Sequence, residues 1–121
     1  MKLIIDLIED IREEIGDSGE FELAAMLLKD NPDNPQELIH VGQAHINNFT
    51  YSQEKKQLIL SMDNSNTILK IEDLLKHIMI LDMSSMMHEI RLFVNSQYPD
   101  MEIIGFGKSL DTKQYILILK I

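Results

Sequence analysis

Apolar residues recur at helical spacing from the start of the chain. Over residues 2–15, Ile4, Leu7, Ile8, Ile11 and Ile15 fall within an arc of about 100°, and Asp6, Glu9, Asp10, Glu13 and Glu14 fill the adjoining arc of about 140°. This predicts an amphipathic helix that stops at Gly16. Asp17 and Glu20 stand at capping-box spacing. Phe21, Ala24, Ala25, Leu27 and Leu28 then predict a second helix from Ser18 to Lys29, so that the first 29 residues read as an αα-hairpin.

Residues 30–37, DNPDNPQE, are turn chemistry, with Asn34 placed to cap a short helix that begins at Pro35. Alternation then replaces the helical period. Ala44 and Ile46 alternate with polar neighbours, Phe49 and Tyr51 do so in the opposite phase, and a bulge at Asn47-Asn48 reconciles the two. SQEKKQ turns the chain and LILSM at 58–62 returns as the partner strand, followed by a polar loop at 63–67.

Residues 67–81 carry a helical stripe of Ile68, Ile71, Leu74, Leu75, Ile78 and Leu81. Residues 83–97 carry another, of Met83, Met86, Met87, Ile90, Phe93 and Val94. The stripes are out of phase, which places a break near Asp82, the cap of the second helix; a rival reading makes HIMILD at 77–82 a strand. MEIIGFG (101–107) and QYILILKI (114–121) form a second hairpin. Its last strand is apolar on nearly both faces and reads as central and covered on both sides. The expectation is one α+β domain over residues 1–121 in the order ααββααββ, with one mostly antiparallel sheet and helices packed on it.

Composition narrows the function classes. The 121 residues contain no cysteine, which excludes disulfides, thiolate metal sites and cysteine nucleophiles. The net charge of −9 disfavours nucleic acid, whose affinity comes mostly from lysine and arginine on phosphate. The charge is uneven: residues 1–40 carry 11 acids against 3 bases, and residues 41–121 carry 9 against 8. No apolar run reaches membrane-spanning length, and acids interrupt the apolar start, so neither a span nor a signal peptide is expected. These features point to a cytoplasmic protein. Eighteen isoleucines against two valines, and nine lysines against two arginines, point to an AT-rich coding sequence, as in low-GC bacteria and their phages.

No motif marks a cofactor or a metal. His40, His45, Asp82 and His88 are the first residues to consider as ligands or a general base, but HVGQAH holds its histidines five apart, which suits neither a helix face nor a strand face. His88-Glu89 opens like a zincin helix, yet Leu92 stands where the second histidine belongs. Asp30, Asp33 and Glu37 lack the calcium-loop order, and GFG at 105–107 lacks phosphate-loop spacing and reads as a bulge or a close backbone approach. Ser84 and Ser85 read as helix-capping residues. Met79, Met83, Met86 and Met87 fit either a core stripe or an exposed partner surface.

The acidic arc of the first helix is the most specific signal. Asp6, Glu9, Asp10, Glu13 and Glu14 repel one another at one-turn spacing, and concentrated negative charge steers basic partners. The expectation is a small acidic interaction module that binds and neutralises, chaperones or inhibits a basic protein, as an immunity protein, a secretion-type chaperone or a phage inhibitor does. An alternative is a small-molecule sensor or small enzyme with a pocket between sheet and helices, its polar groups drawn from His45, Tyr51, His88 and Tyr115. A third is an accessory subunit with an exposed apolar face. Homodimerisation is open.

Overall fold

The first amphipathic stretch folds as the helix α1 (Ile4–Glu14) in the computed structural model, which describes residues 2–16, 20–62 and 68–121. Ile4, Leu7 and Ile11 are buried and Ile8 is half-buried, as the periodicity requires. The Asp6 carboxylate accepts the Leu3 N–H at 2.8 Å and satisfies one donor that the helix start leaves open. Gly16 follows the helix at φ 59, the left-handed conformation that glycine adopts without a Cβ clash.

The next element corrects the sequence reading. Glu22–Asp30 is the strand β1, not a helix, and there is no αα-hairpin. The run LAAMLL is apolar at both periods. Leu23, Ala25 and Leu27 turn to the core and Ala24, Met26 and Leu28 to the opposite face, which suits a strand with neighbours on both sides. The helix propensity of alanine, leucine and methionine yields to that packing. Asp17 of the expected capping box lies outside the described residues. Residues 31–37 form turns rather than a capped helix, with the Asn34 side chain accepting the Gln36 N–H.

The strands β2 (Leu38–His45), β3 (Asn48–Ser52) and β4 (Gln57–Ser61) follow, and the β3–β4 hairpin lies where alternation placed it. The expected polar loop at 63–67 is outside the described residues. The helix α2 (Ile71–Ile78) is a shorter form of the 67–81 stripe. Asp82 caps as expected, through a 3.0 Å bond from the Ser85 N–H, but what it caps is a 3-10 helix, Met83–Met87, followed by β5 (Glu89–Phe93). The expected helix over 83–97 is absent: Ile90 and Leu92 face inward, while Glu89 and Arg91 pair on the other side. The strands β6 (Met101–Ser109) and β7 (Gln114–Lys120) form the second hairpin, with a register shift beside Gly105. A Cβ on Gly105 would meet the Ile118 side chain at 3.7 Å, an ordinary contact distance.

The sheet is mixed rather than mostly antiparallel, and the ααββααββ order does not hold. Its strand order is β2-β1-β7-β6-β5-β4-β3, with β1–β7 and β4–β5 parallel. Both hairpins share it and β7 is internal, as expected. The two end strands β2 and β3 are consecutive in the chain, separated by Ile46 and Asn47 alone. A flat sheet would hold them six spacings apart, roughly 29 Å, whereas the three Cα steps from His45 to Asn48 reach at most about 11 Å. The sheet must therefore curl until its ends meet. The phase change read as a bulge at Asn47-Asn48 is this corner, where one long bent strand passes from one end of the sheet to the other.

Three backbone hydrogen bonds form a ring at the corner. The Ile46 N–H donates to Leu23 at 3.0 Å, Leu23 to Leu69 at 2.8 Å, and Leu69 to Ile46 at 3.2 Å. The core fills the curl, joining Ile4, Leu7 and Ile11 of α1 and Ile71, Leu74 and Ile78 of α2 to inward residues of the strands. Replacing Ile46, which is fully buried, with alanine will cost about 2–5 kcal/mol in denaturant unfolding. Val41→Ala, on the exposed part of β2, will stay within about 0.5 kcal/mol of the parent.

Candidate functional site

The five acids of α1 have different commitments. Asp6 takes the Leu3 N–H, Asp10 accepts the Tyr115 hydroxyl at 2.5 Å, and Glu14 pairs with Lys108 at 2.9 Å. Glu9 and Glu13 stand one turn apart, exposed and without a partner among the described residues. With Asp6, Asp10, Lys2 and Phe106 they line an open groove of about 260 Å³. Lys2 Nζ lies 5.2 Å from the centre of the Phe106 ring, a cation–π contact at the edge of the acidic face.

Tyr115 anchors this face from below. Its residue is fully buried on β7, and its hydroxyl reaches up to Asp10. Burial first, then the hydrogen bond and charge of Asp10, push its phenol well above its ordinary range. Sequence separation hides this contact, because α1 and β7 stand at opposite ends of the chain.

A second polar cluster joins Asp82, Ser85, Tyr51 and His88. Ser85 Oγ lies 2.8 Å from Asp82 Oδ1, Tyr51 Oη lies 3.1 Å from Ser85 Oγ, and His88 Nδ1 lies 2.6 Å from Tyr51 Oη. The direction of the chain follows from proton counting. The ionised carboxylate only accepts, so Ser85 donates to it, Tyr51 donates to Ser85, and the proton between Tyr51 and His88 belongs to Nδ1. Hydrogen bonds from the Ser84 and Ser85 hydroxyls and the Ser85 N–H hold the Asp82 carboxyl below its usual range. This order differs from a nucleophilic triad, in which the serine proton goes to imidazole. The arrangement ties β3 to the 3-10 helix and to the start of β5.

Of the four polar residues considered for a pocket, the structure brings Tyr51 and His88 together and leaves the other two elsewhere. His45 Nδ1 stands 3.9 Å from Glu22 Oε2, and Tyr115 sits under α1. The cavity beside Tyr51, walled by Phe49, His77 and Ile80, holds about 160 Å³, well under the roughly 300–1,000 Å³ of drug-sized ligand sites. His40 is exposed on β2. Among the described residues no group of three or more histidine or acidic side chains gathers as a metal site, and no helix is long and apolar enough to cross a membrane.

The methionines divide between core and surface. Met86 packs partly against the core, but Met79, Met83 and Met87 are 79%, 88% and 61% exposed, and Ile80 is 79% exposed. A second groove, of about 410 Å³, runs between α1 and the segment from α2 to the 3-10 helix. Comparison with protein-family models, with curated proteins and with solved structures found no match to this chain.

Tyr115→Phe will lower stability at pH 7 by about 1–3 kcal/mol, the range for a hydrogen bond to a charged group. The phenol is neutral in the fold and its folded pKa is raised, so its contribution is complete below the unfolded value of 10.0 and is lost as pH rises past it. In denaturant unfolding above pH 10 the parent will lose stability more steeply than the variant, by up to about 1.4 kcal/mol per pH unit. Parallel alkaline curves for the two proteins would contradict this assignment.

Proposed function

We propose that this chain is a small acidic interaction module that docks a basic segment of a partner protein against the exposed face of α1. The observation that supports this reading best is the pair Glu9 and Glu13, without a partner among the described residues and set beside an aromatic ring that already attracts an ammonium group. Carboxylates next to an aromatic face suit lysine or arginine, the first through charge and the second through the ring quadrupole. Exposed acids add little to folding, so their concentration on one face supports a role in binding rather than in stability. Covering a basic surface would neutralise, chaperone or inhibit the partner, and the absence of cysteine fits a cytoplasmic setting. The sensor or enzyme alternative has less support, since Tyr51 and His88 stand beside a small apolar cavity and the Ser85 proton is committed to a carboxylate.

The test uses a synthetic lysine- and arginine-rich peptide as probe. Glu9→Lys combined with Glu13→Lys will fold normally and slow association by tenfold or more at low ionic strength, and the effect will shrink as salt screens it. Asp33→Lys with Glu37→Lys changes net charge equally in an exposed turn and will slow association much less. Equal losses in the two double variants would reduce the interaction to net charge and overturn a docking site on α1.

A further inference from the structure

We infer that the groove between α1 and the α2-to-3-10 segment receives an amphipathic helix of the partner, apolar along one side and basic along the flank that faces α1. The inference rests on the proposed docking at α1 and extends it to the form of the docked segment.

Exposure marks the apolar side of the groove. Four large apolar side chains within nine residues, Met79, Ile80, Met83 and Met87, are each more than 60% exposed. Single exposed apolar residues need no explanation, but exposed methionines that share one groove do. Ile80 lines the smaller cavity beside Tyr51, while Met79 and Met83 line one concavity. Ile5 and Ile8 of α1 form one wall, Leu75 of α2 and Met83 and Met86 of the 3-10 helix form the other, and the volume of about 410 Å³ has room for several apolar side chains. Methionine suits such a lining because its unbranched side chain repacks around different shapes. The walls are helical side chains, and no strand of the sheet lies among them, so an extended segment would find no backbone partners there. A helix that carries its own hydrogen bonds and offers a stripe at positions i, i+3 or i+4, and i+7 matches the shape.

Charge marks the flank along α1. Glu9 lies one helical turn after Ile5, on the rim where the groove meets the acidic face, and Glu13 lies one turn further. Neither has a partner among the described residues, whereas Glu72 and Glu20, which line a neighbouring hollow beside Gly16, Leu75 and Met79, are paired with Lys76 and Lys113. Arg12 lines the groove itself, so the occupant's basic residues belong on the flank over Glu9 and Glu13 rather than along its whole length. The same rim argues against a second copy of the chain. A symmetric pairing of this groove with itself sets the unpaired acids of two chains, each of net charge −9, into one interface.

The experiment compares two synthetic peptides of identical leucine and lysine composition. One orders its leucines along a single helical face and the other scatters them. By fluorescence anisotropy the parent will bind the ordered peptide at least tenfold more tightly than the scattered one. Met79→Ser with Met83→Ser, which alters two exposed positions and leaves net charge unchanged, will erase that difference and keep the parent's affinity for the scattered peptide. Glu9→Lys with Glu13→Lys will weaken both peptides. If the parent binds both peptides alike and only the glutamate variant weakens them, the groove inference is overturned and the acidic docking reading stands. If the glutamate variant also binds as the parent does, both fall. Sedimentation that reveals a dimer of the parent and a monomer of the methionine variant would assign the groove to a second copy and overturn the inference.

Discussion

The ring of backbone hydrogen bonds among Leu23, Ile46 and Leu69 is the constraint on which the rest of the structure depends. Each of these residues is buried, and each gives its N–H to the next. Buried backbone groups cannot remain unpaired without a cost comparable to a lost hydrogen bond. The corner at Ile46 therefore exists only if β1, the bent β2–β3 strand and the entry to α2 arrive together. That meeting closes the curl, because Asn47 goes on to pair with Ser61 of β4 while Ile46 still holds β1. A curled sheet has a concave side that strands alone do not fill. The apolar stripes of α1 and α2 occupy it, and α1 is fixed there at its start by bonds to His88 and Ile90 and along its length by Tyr115.

The surface follows from the same geometry. With its apolar stripe committed to the core, α1 must present its acids outward, and two of them, Glu9 and Glu13, find no partner among the described residues. The chain from α2 to β5 crosses between parallel neighbours in the sheet, held by a short polar relay through Asp82, Ser85 and His88 and by the packing of Leu81 and Met86 on the core. Met79, Met83 and Met87 on that crossing are left in solvent, while Met86 turns inward. An apolar groove and a charged rim thus share one helix, which is the arrangement that an amphipathic basic segment requires.

The sequence was legible where the structural signal was local. The period of α1, the two hairpins, the glycine stop and the Asp82 cap all depend on residues a few positions apart. β1 was not legible, because LAAMLL satisfies a helix and a fully buried strand equally, and what decides between them is β7, about ninety residues away. The same distance hides the parallel pairings, which no local pattern encodes. β5 was masked by methionines whose spacing imitates a helix, although Ile90 and Leu92 alternate inward. In the candidate site the acidic face itself could be read from the sequence, but the distinction between its committed and its free carboxylates could not. Asp10 and Glu14 are tied to Tyr115 and Lys108, partners that only the folded chain brings near. The contact between Tyr51 and His88 was hidden in the same way, across three strands.

Native-state hydrogen exchange at the closure tests this account most directly. If the ring holds the curl together, the amides of Leu23, Ile46 and Leu69 exchange only through global unfolding. Their exchange free energies then equal the denaturant-unfolding value and decline with denaturant at the same slope. Exchange of Ile46 and Leu69 at a much lower free energy and without denaturant dependence, while Leu117 in β7 keeps the global value, would mean that the curl opens independently of the core. That result would contradict the central role given to the closure.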